Sequence, residues 1–280
     1  MNRRDHSGLS GAIARHAASV ALERIGLQRA NRRATTGAAL RQLRRVGIEA
    51  ATVIDAGAAY GRWSLACGGV YPEARYVMIE PLNEFVPFLE AAAAKLDQAV
   101  VVQVAVGDAP GRHLLNVHAD LVGSSLRQEE DRAVRTKPRE VEVTVIDAVV
   151  DEHALESPFL LKIDVQGAEL DVLRGATTTL GRATAVIVET STLPFFSGGS
   201  EFARLVEFLA ARGFALYDVV DLAYRPLDGA LAQVDAIFVE ETGPARIDHA
   251  YADSEARAVQ DRRFQLAYRV RRRRLRWKSL

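Results

Sequence analysis

The stretch Val53-Ile54-Asp55-Ala56-Gly57-Ala58-Ala59-Tyr60-Gly61 passes from an apolar run into an amphipathic segment, and both glycines fall in the turn between them. Gly57 has no Cβ and can adopt a positive φ, so the backbone of this turn can come close to a ligand. The N–H groups at the start of the following helix are available to a polar or anionic group. The stretch therefore predicts a strand, a ligand-binding turn and a helix.

The spacing of this turn narrows the class of ligand. It is D-x-G-x-x-x-G rather than G-x-G-x-x-G, and Asp55 stands where a dinucleotide would bring its pyrophosphate, which argues against NAD or FAD. S-adenosylmethionine has no phosphate, and a carboxylate favours its sulfonium and ammonium groups. We assign Asp55, Gly57, Ala58, Tyr60 and Gly61 to its binding. A turn that serves only to pack the strand against the helix is the alternative.

From residue 51 onward, short apolar runs alternate with amphipathic segments, which is typical of a parallel sheet covered by helices on both faces. The sequence therefore predicts an α/β fold. The predicted strands are Ala51–Ala56, Tyr76–Glu80, Val100–Val106, Phe159–Ile163, Ala185–Glu189, Ala215–Val220 and Ala236–Val239. The predicted helices between them are Asn83–Leu96, Gly167–Leu180 and Glu201–Arg212.

Two further extended segments, His113–His118 and Glu140–Val149, flank a polar stretch and interrupt this alternation. We interpret residues 112–146 as an inserted hairpin or lid, since loops of this length inside a domain tend to be functional. Helix-compatible composition at residues 9–27 and 36–46 predicts a helical N-terminal extension, residues 1–50. The α/β domain then spans residues 51–241, followed by a basic C-terminal extension, residues 242–280.

Composition excludes several classes of protein. A single cysteine, Cys67, forms neither an intrachain disulfide nor a cysteine-based zinc site, so the cytoplasm is the expected compartment. No run of 18 apolar residues is present, so we expect no membrane span. Many Ala and Arg residues with few Lys are typical of a bacterial sequence. The net charge is zero, but residues 1–50 carry 10 Arg against three acids and residues 257–280 carry 10 basic residues against one acid.

Acidic residues follow the ends of consecutive predicted strands. Glu80 with Pro81 ends the second strand and Asp108 follows the third, while Asp164 and Glu189 end the next two. Ligands of open α/β sheets bind at the carboxyl ends of the strands, so these acids are expected in one crevice. Glu80 is the predicted ribose ligand, and Asp108 is the predicted partner of the adenine amino group. A helix cap or a solvated side chain is the alternative for each acid alone.

Lys162 and Asp164 lie two residues apart in a predicted strand, so their side chains share a face. Asp164 is the predicted base or acceptor ligand, with Lys162 and Glu189 as further catalytic candidates. An ion pair that only fixes the strand end is an equal alternative for Lys162. Asp164 and Glu189 together could also hold a divalent cation such as Mg²⁺.

These residues together resemble the FkbM family of S-adenosylmethionine-dependent methyltransferases. The most specific block is Leu161-Lys-Ile-Asp-Val-Gln-Gly-Ala-Glu169, and the resemblance covers roughly residues 51–240. It implies a Rossmann-like class I methyltransferase fold: a seven-stranded, mostly parallel sheet with one antiparallel edge strand. It also implies that the pair Ser124-Ser125 approaches the cofactor or substrate. The family more often has Glu at the position of Gln166. A role that depends on a carboxylate at this position is therefore in doubt for this chain.

The resemblance implies O-methylation of a hydroxyl on a sugar, glycolipid or other secondary metabolite. A non-catalytic module that binds the cofactor or a protein partner is the alternative, and a nicotinamide-dependent oxidoreductase ranks last. The basic C-terminus, with Trp277 and Leu280, could contact an anionic membrane such as the inner membrane. Its basic and aromatic residues intermingle only at the extreme end, so nucleic acid is not an expected partner. The sequence leaves the oligomeric state open.

Overall fold

A computed structural model of the chain describes residues 34–131 and 133–277. The helix expected over residues 9–27 lies outside these residues. The second helix of the N-terminal extension, expected over 36–46, is confirmed as α1, Thr36–Arg45. Thr35 caps it by accepting a hydrogen bond from the amide of Ala38 at 3.4 Å, and Arg44 and Arg45 occupy its last turn, where cations favour the helix dipole.

The described chain contains ten strands. They are β1 Thr52–Ala56, β2 Arg75–Ile79, β3 Ala99–Val102, β4 Ala105–Val106, β5 Gly111–His118, β6 Thr136–Thr144, β7 Phe159–Ile163, β8 Ala183–Ser191, β9 Phe214–Tyr224 and β10 Leu231–Glu240. After α1 the helices are α2 Arg62–Gly68, α3 Val86–Ala93, α4 Ile146–Glu152, α5 Glu169–Arg174, α6 Thr177–Leu180, α7 Phe202–Ala210 and α8 Ser254–Trp277. A 3-10 turn, Asn83–Phe85, leads into α3.

Seven strands form the main sheet in the order β3-β2-β1-β7-β8-β10-β9. The pairs among β3, β2, β1, β7 and β8 are parallel, whereas β10 pairs antiparallel with both β8 and β9. This confirms the predicted α/β class with a mostly parallel seven-stranded sheet. The expectation of an antiparallel edge strand is wrong, because the reversed strand β10 lies inside the sheet and β9 forms the edge.

A second sheet of three strands, β4-β6-β5, contains the inserted hairpin. β5 and β6 pair antiparallel over their whole length, which confirms the insertion as a hairpin. The predicted strand Val100–Val106 is divided, since β3 joins the main sheet and β4 joins this smaller one. The extended segment expected to continue to Val149 instead turns at Val145 into α4, where Ile146, Val149 and Val150 are buried.

Apolar side chains cover both faces of the main sheet. All five residues of β1 and all five of β7 are buried, which explains why these strands are nearly continuous apolar runs. On one face, α1 packs with Leu40 and Leu43 into a cluster that also contains Cys67. Burial raises the pKa of the Cys67 thiol to about 12. Helices α4, α5 and α7 pack into the cluster on the opposite face.

Among the residues that the structure describes, no helix has the length and apolar character needed to cross a membrane.

Candidate functional site

A cleft opens at the carboxyl ends of β1, β2, β7 and β8 and has two lobes. Residues Gly57, Ala59, Val122 and Asp164 line both lobes and join them. The narrow lobe is mainly apolar. Its lining includes Glu80, Pro81, Phe85, Val106, Leu115 and Leu126. The wide lobe has a volume of about 410 Å³, and its lining includes Asp55, Tyr60, Lys162, Glu189, Gln233 and Asp235.

The glycine turn between β1 and α2 forms the floor of this cleft. Gly57 has φ +81°, and a Cβ at this position would lie 1.8 Å from the carbonyl oxygen of Asp164. The amides of Gly57 and Ala58 donate to the carbonyl of Ile79 at 2.9 and 3.1 Å, so the protein itself satisfies them. These two amides are therefore satisfied within the protein, and the turn presents a close-packed backbone surface to the cleft.

Gly61 serves packing instead of lining the cleft. It precedes α2 with φ +67°, and a Cβ there would lie 2.8 Å from the Cβ of Ala92 and 3.3 Å from Leu89. The lack of a side chain at Gly61 therefore lets α2 approach α3 closely. Gly61 therefore fits the alternative that the turn serves only to pack the strand against the helix. Gly57, in contrast, lines both lobes of the cleft.

Glu80 follows β2 at the boundary of the narrow lobe and is 5% exposed. Its two carboxylate oxygens accept from the amides of Ala59 at 3.1 Å and Leu82 at 3.0 Å. Burial raises its pKa to about 7 despite these two hydrogen bonds. Each carboxylate oxygen has a second lone pair, so the fixed side chain can still accept from two neighbouring hydroxyl groups of a ligand.

Lys162 belongs to the lining of the wide lobe and is 4% exposed. Its ammonium nitrogen is 3.4 Å from Asp164 Oδ2 and 3.6 Å from Asp235 Oδ1. Burial alone would lower the pKa of Lys162, but Asp164, Asp235, Glu189 and Asp55 together raise it above its ordinary value. Within the described part of the chain this nitrogen has no hydrogen-bond partner. The ion pair expected as an alternative for Lys162 is present, with one buried ammonium close to two carboxylates.

The Gln166 amide joins two carboxylates. Its nitrogen donates to Asp164 Oδ1 at 2.8 Å and to Glu189 Oε1 at 3.0 Å, and the Gln233 amide donates to the same oxygen of Glu189 at 3.0 Å. Burial, with the negative charge of Asp164, raises the pKa of Glu189 to about 7, although Lys162 opposes the shift. Glu189 is therefore a carboxylate that exchanges its proton near neutral pH.

Asp55 adds a further acid beneath the turn. It is 2% exposed, and its carboxylate accepts from the hydroxyl of Ser64 at 2.6 Å. Burial raises the pKa of Asp55 to about 6. Ala58 and Tyr60 follow the turn on the same wall of the wide lobe, and the Tyr60 ring packs edge-on against Phe85, with the ring centres 4.8 Å apart. The structure thus brings Asp55, Ala58 and Tyr60 to the cleft, as expected.

Two predicted site residues do not reach the cleft surface. Asp108 is exposed in the turn before β5 and lines neither lobe. Ser125 is buried, donates its hydroxyl to the carbonyl of Gln166 and accepts from the amide of Arg127 at 2.8 Å. Its neighbour Ser124 lines the narrow lobe instead. Ser125 therefore fastens the insertion to the segment that carries Gln166.

Several residues of the wide lobe were missed by the sequence analysis. Asp235 in β10 lies opposite Glu189 of β8, and its carboxylate accepts from the hydroxyl of Thr36 at 2.6 Å. Thr36 also donates its amide to Asp221 of β9 at 2.7 Å. Residues on α1, β9 and β10 therefore build the wall of the lobe furthest from the glycine turn. No local pattern indicates this, because the three segments are distant in sequence.

Glu169 is a further buried acid that lies behind the cleft. Its carboxylate accepts from the amide of Gly167 at 2.7 Å, and burial raises its pKa to about 8. It lies in the first turn of α5, and the hydrogen bond from Gly167 opposes the effect of burial on its pKa without overcoming it.

The magnesium hypothesis for Asp164 and Glu189 finds no support. Within residues 34–131 and 133–277, no group of three or more His, Cys, Asp or Glu residues is arranged to hold a metal ion. The Gln166 amide already donates to both carboxylates, and the Lys162 ammonium is close to Asp164. Positive and N–H donor groups thus occupy the positions that a cation would need.

Several known methyltransferases are similar to this chain. The family profile "Methyltransferase FkbM domain" matches residues 55–216. Among solved structures, the O-methyltransferase TomG from Streptomyces achromogenes, in complex with S-adenosylmethionine, is 15% identical with a TM-score of 0.45, covering 80% of this chain and 88% of that chain. Precorrin-6y C5,15-methyltransferase from Geobacter metallireducens is 12% identical with a TM-score of 0.39, covering 73% and 85%. A comparison with curated proteins finds no match.

Proposed function

The chain belongs to the FkbM family of methyltransferases, and on that premise we propose that it transfers the methyl group of S-adenosylmethionine to a hydroxyl oxygen of a sugar, a glycolipid or another small metabolite. We propose oxygen as the methylated atom because of the Glu189 carboxylate. It lines the wide lobe and has a pKa raised to about 7. An alcohol must lose a proton as it is methylated, and a base whose pKa lies near the working pH serves this best.

The residues of the narrow lobe fit the nucleoside half of the cofactor. Glu80 presents lone pairs for the two ribose hydroxyls, and the apolar side chains of Phe85, Val106 and Leu126 provide surface for the base. The acids of the wide lobe suit the positive charges on the methionine half, since opposite charges attract strongly in a partly buried site. Bound S-adenosylmethionine supplies the methyl group on a cationic sulfur, which leaves as a neutral thioether.

The chain's own residues then have separable tasks. Glu189 would accept the proton that the acceptor hydroxyl loses when it is methylated. Lys162 holds the acceptor oxygen or the Asp164 carboxylate, and Gln166 keeps Asp164 and Glu189 together. Alignment of reacting atoms contributes on the order of 7–11 kcal/mol to such reactions, so rigid placement of these groups matters as much as basicity.

The test compares binding with turnover. We would incubate the purified protein with labelled S-adenosylmethionine and a panel of neutral sugars, glycolipids and hydroxylated metabolites, and identify the methylated atom by NMR. Glu189→Gln should bind S-adenosylhomocysteine as well as the native protein does but lose roughly 100-fold or more in turnover. Glu207→Gln, an exposed residue on α7, is the matched control and should leave both unchanged.

Three results would contradict the proposal. Methylation of nitrogen or carbon would reject the hydroxyl acceptor, and undiminished turnover of the Glu189 variant would reject the proposed base. Cofactor binding without turnover on any acceptor would favour the non-catalytic module. A chelator added to the same assay tests the metal question separately, and we expect it to have no effect, because Gln166 and Lys162 already contact the acids.

A further inference from the structure

Helix α8, Ser254–Trp277, exposes most of the side chains that the structure describes in it. From Ser254 to Arg269 its side chains are exposed apart from Val259 and Gln260, which are half-buried. Phe264 is 71% exposed and Tyr268 is 65% exposed. Exposed large apolar side chains on an extended basic element are unusual in a free monomer and indicate an interaction surface.

The net charge of the C-terminal residues 257–280 indicates which kind of partner α8 can bind. Residues 257–280 carry 10 Arg and Lys against Asp261 alone, a net charge of +9, whereas residues 51–256 carry −16. From residue 261 to residue 269 the side chains of the helix are nevertheless exposed and not covered by the acidic domain. Pairing with α8 of a second copy would bring two strongly positive helices together, which is unfavourable. The fitting partner is therefore a large anionic surface that also accepts apolar side chains.

We infer that α8 docks on an anionic lipid surface. Phe264 and Tyr268 are four residues apart, so they lie on one face of the helix and can enter the boundary between headgroups and acyl chains. Arg262 and Arg269 are seven residues apart on another stripe, from which their long side chains reach the phosphate groups of the lipids. A nucleic acid would engage the arginines but would give the aromatic pair no comparable apolar environment.

The experiment is co-sedimentation of the full-length protein with vesicles. We expect binding to vesicles of phosphatidylcholine mixed with phosphatidylglycerol that is roughly tenfold or more tighter than binding to pure phosphatidylcholine. Raising NaCl from about 0.1 M to about 0.5 M should weaken it, since salt screens the attraction. Equal binding to both vesicles would overturn the inference.

Two variants separate the charge from the apolar face. Arg262→Glu with Arg269→Glu should weaken binding roughly tenfold or more, and the same charge change on the domain surface, Arg41→Glu with Arg204→Glu, should leave binding within about twofold. Phe264→Ser with Tyr268→Ser keeps the charge and should still weaken binding severalfold. Because the four substituted side chains of α8 are exposed, each variant should unfold at the native temperature.

A binding experiment with RNA distinguishes an anionic membrane from a nucleic acid as the partner of α8. Fluorescence anisotropy with a single-stranded RNA oligonucleotide should show weaker binding than the anionic vesicles at the same salt concentration. Tighter binding to RNA, or vesicle binding that ignores both helix variants, would overturn the docking of α8 on lipid.

Discussion

The backbone of Gly57 packs directly against the backbone of Asp164 in the cleft. The effect of adding a side chain at Gly57 can therefore be predicted and measured. A methyl group at Gly57 would lie 1.8 Å from the Asp164 carbonyl oxygen and 2.8 Å from its carbonyl carbon. Contacts below 3.0 Å essentially never occur, so the two backbones must separate by more than 1 Å. They are held together next to this point, because the Asp164 amide donates to the carbonyl of Ala56 at 2.9 Å.

Gly57→Ala therefore has two costs. A left-handed φ costs an alanine about 1–2 kcal/mol, and forcing an extra methyl group into a packed site costs about 1–3 kcal/mol more. We expect the free energy of unfolding to fall by about 2–5 kcal/mol. A displacement of about 1 Å at Asp164 should also reduce turnover about 100-fold, with weaker binding of S-adenosylhomocysteine.

Gly213→Ala provides the control, because Gly213 also has φ +81° but has no atom within 4 Å of the added Cβ. It should lose only about 1–2 kcal/mol and keep full cofactor affinity. Denaturant unfolding gives the two free energies, and calorimetric titration with S-adenosylhomocysteine gives the two affinities. If Gly57→Ala and Gly213→Ala had equal free energies of unfolding and equal affinities for S-adenosylhomocysteine, the reasoning about the contact between Gly57 and Asp164 would be refuted.

The remaining predictions concern the buried carboxylates. Glu80→Gln should raise KM for S-adenosylmethionine about 10- to 100-fold with little change in kcat, because a charged acceptor of two hydroxyl hydrogen bonds is lost. Asp108→Asn, in an exposed turn, should change neither KM nor kcat. If both variants raised KM equally, the assignment of Glu80 to the ribose would be refuted. At saturating cofactor, kcat should rise with pH through about 7, since Glu189 acts only when ionised; the rise should vanish from the residual activity of Glu189→Gln, and a rise that survives there belongs to another group. Glu169 has a pKa of about 8 when folded against 4.5 as its ordinary value, so its contribution to stability is complete below pH 4.5 and is lost as pH rises through 8. Glu169→Gln should abolish this loss, on the order of 5 kcal/mol at most, and an unchanged pH profile of the unfolding midpoint would refute the burial argument.

The central strands and three acids of the cleft follow from local sequence. β7 begins and ends where its apolar run does, Phe159–Ile163, because both of its faces are covered. Parallel strands bring their carboxyl ends to one edge, so Glu80, Asp164 and Glu189 can be placed near one another from the strand pattern alone. Their contribution to cofactor binding or catalysis stays a prediction.

The opposite wall of the cleft depends on contacts that no local pattern encodes. Asp235 precedes the predicted strand Ala236–Val239, and it reaches the site because β10 runs backwards beside β8. Periodicity shows that a strand exists but not its direction. Likewise, the predicted helix Gly167–Leu180 is divided at Gly175, where a Cβ would lie 2.1 Å from the carbonyl oxygen of Gly107. Gly175 thus ends α5 at a point where the backbone of a distant segment lies against it, a contact that the helical pattern does not show.

The hydroxyl of Thr36 and the carboxylate of Asp235, 199 positions apart, meet on the far wall of the wide lobe. Both lie outside the matched span 55–216, which contains Gly57 and Glu80. The outer wall of the lobe is therefore built in part from segments on either side of the region that the family profile matches. Relatives that share the central motif but differ near these two positions are expected to diverge in the molecules they modify.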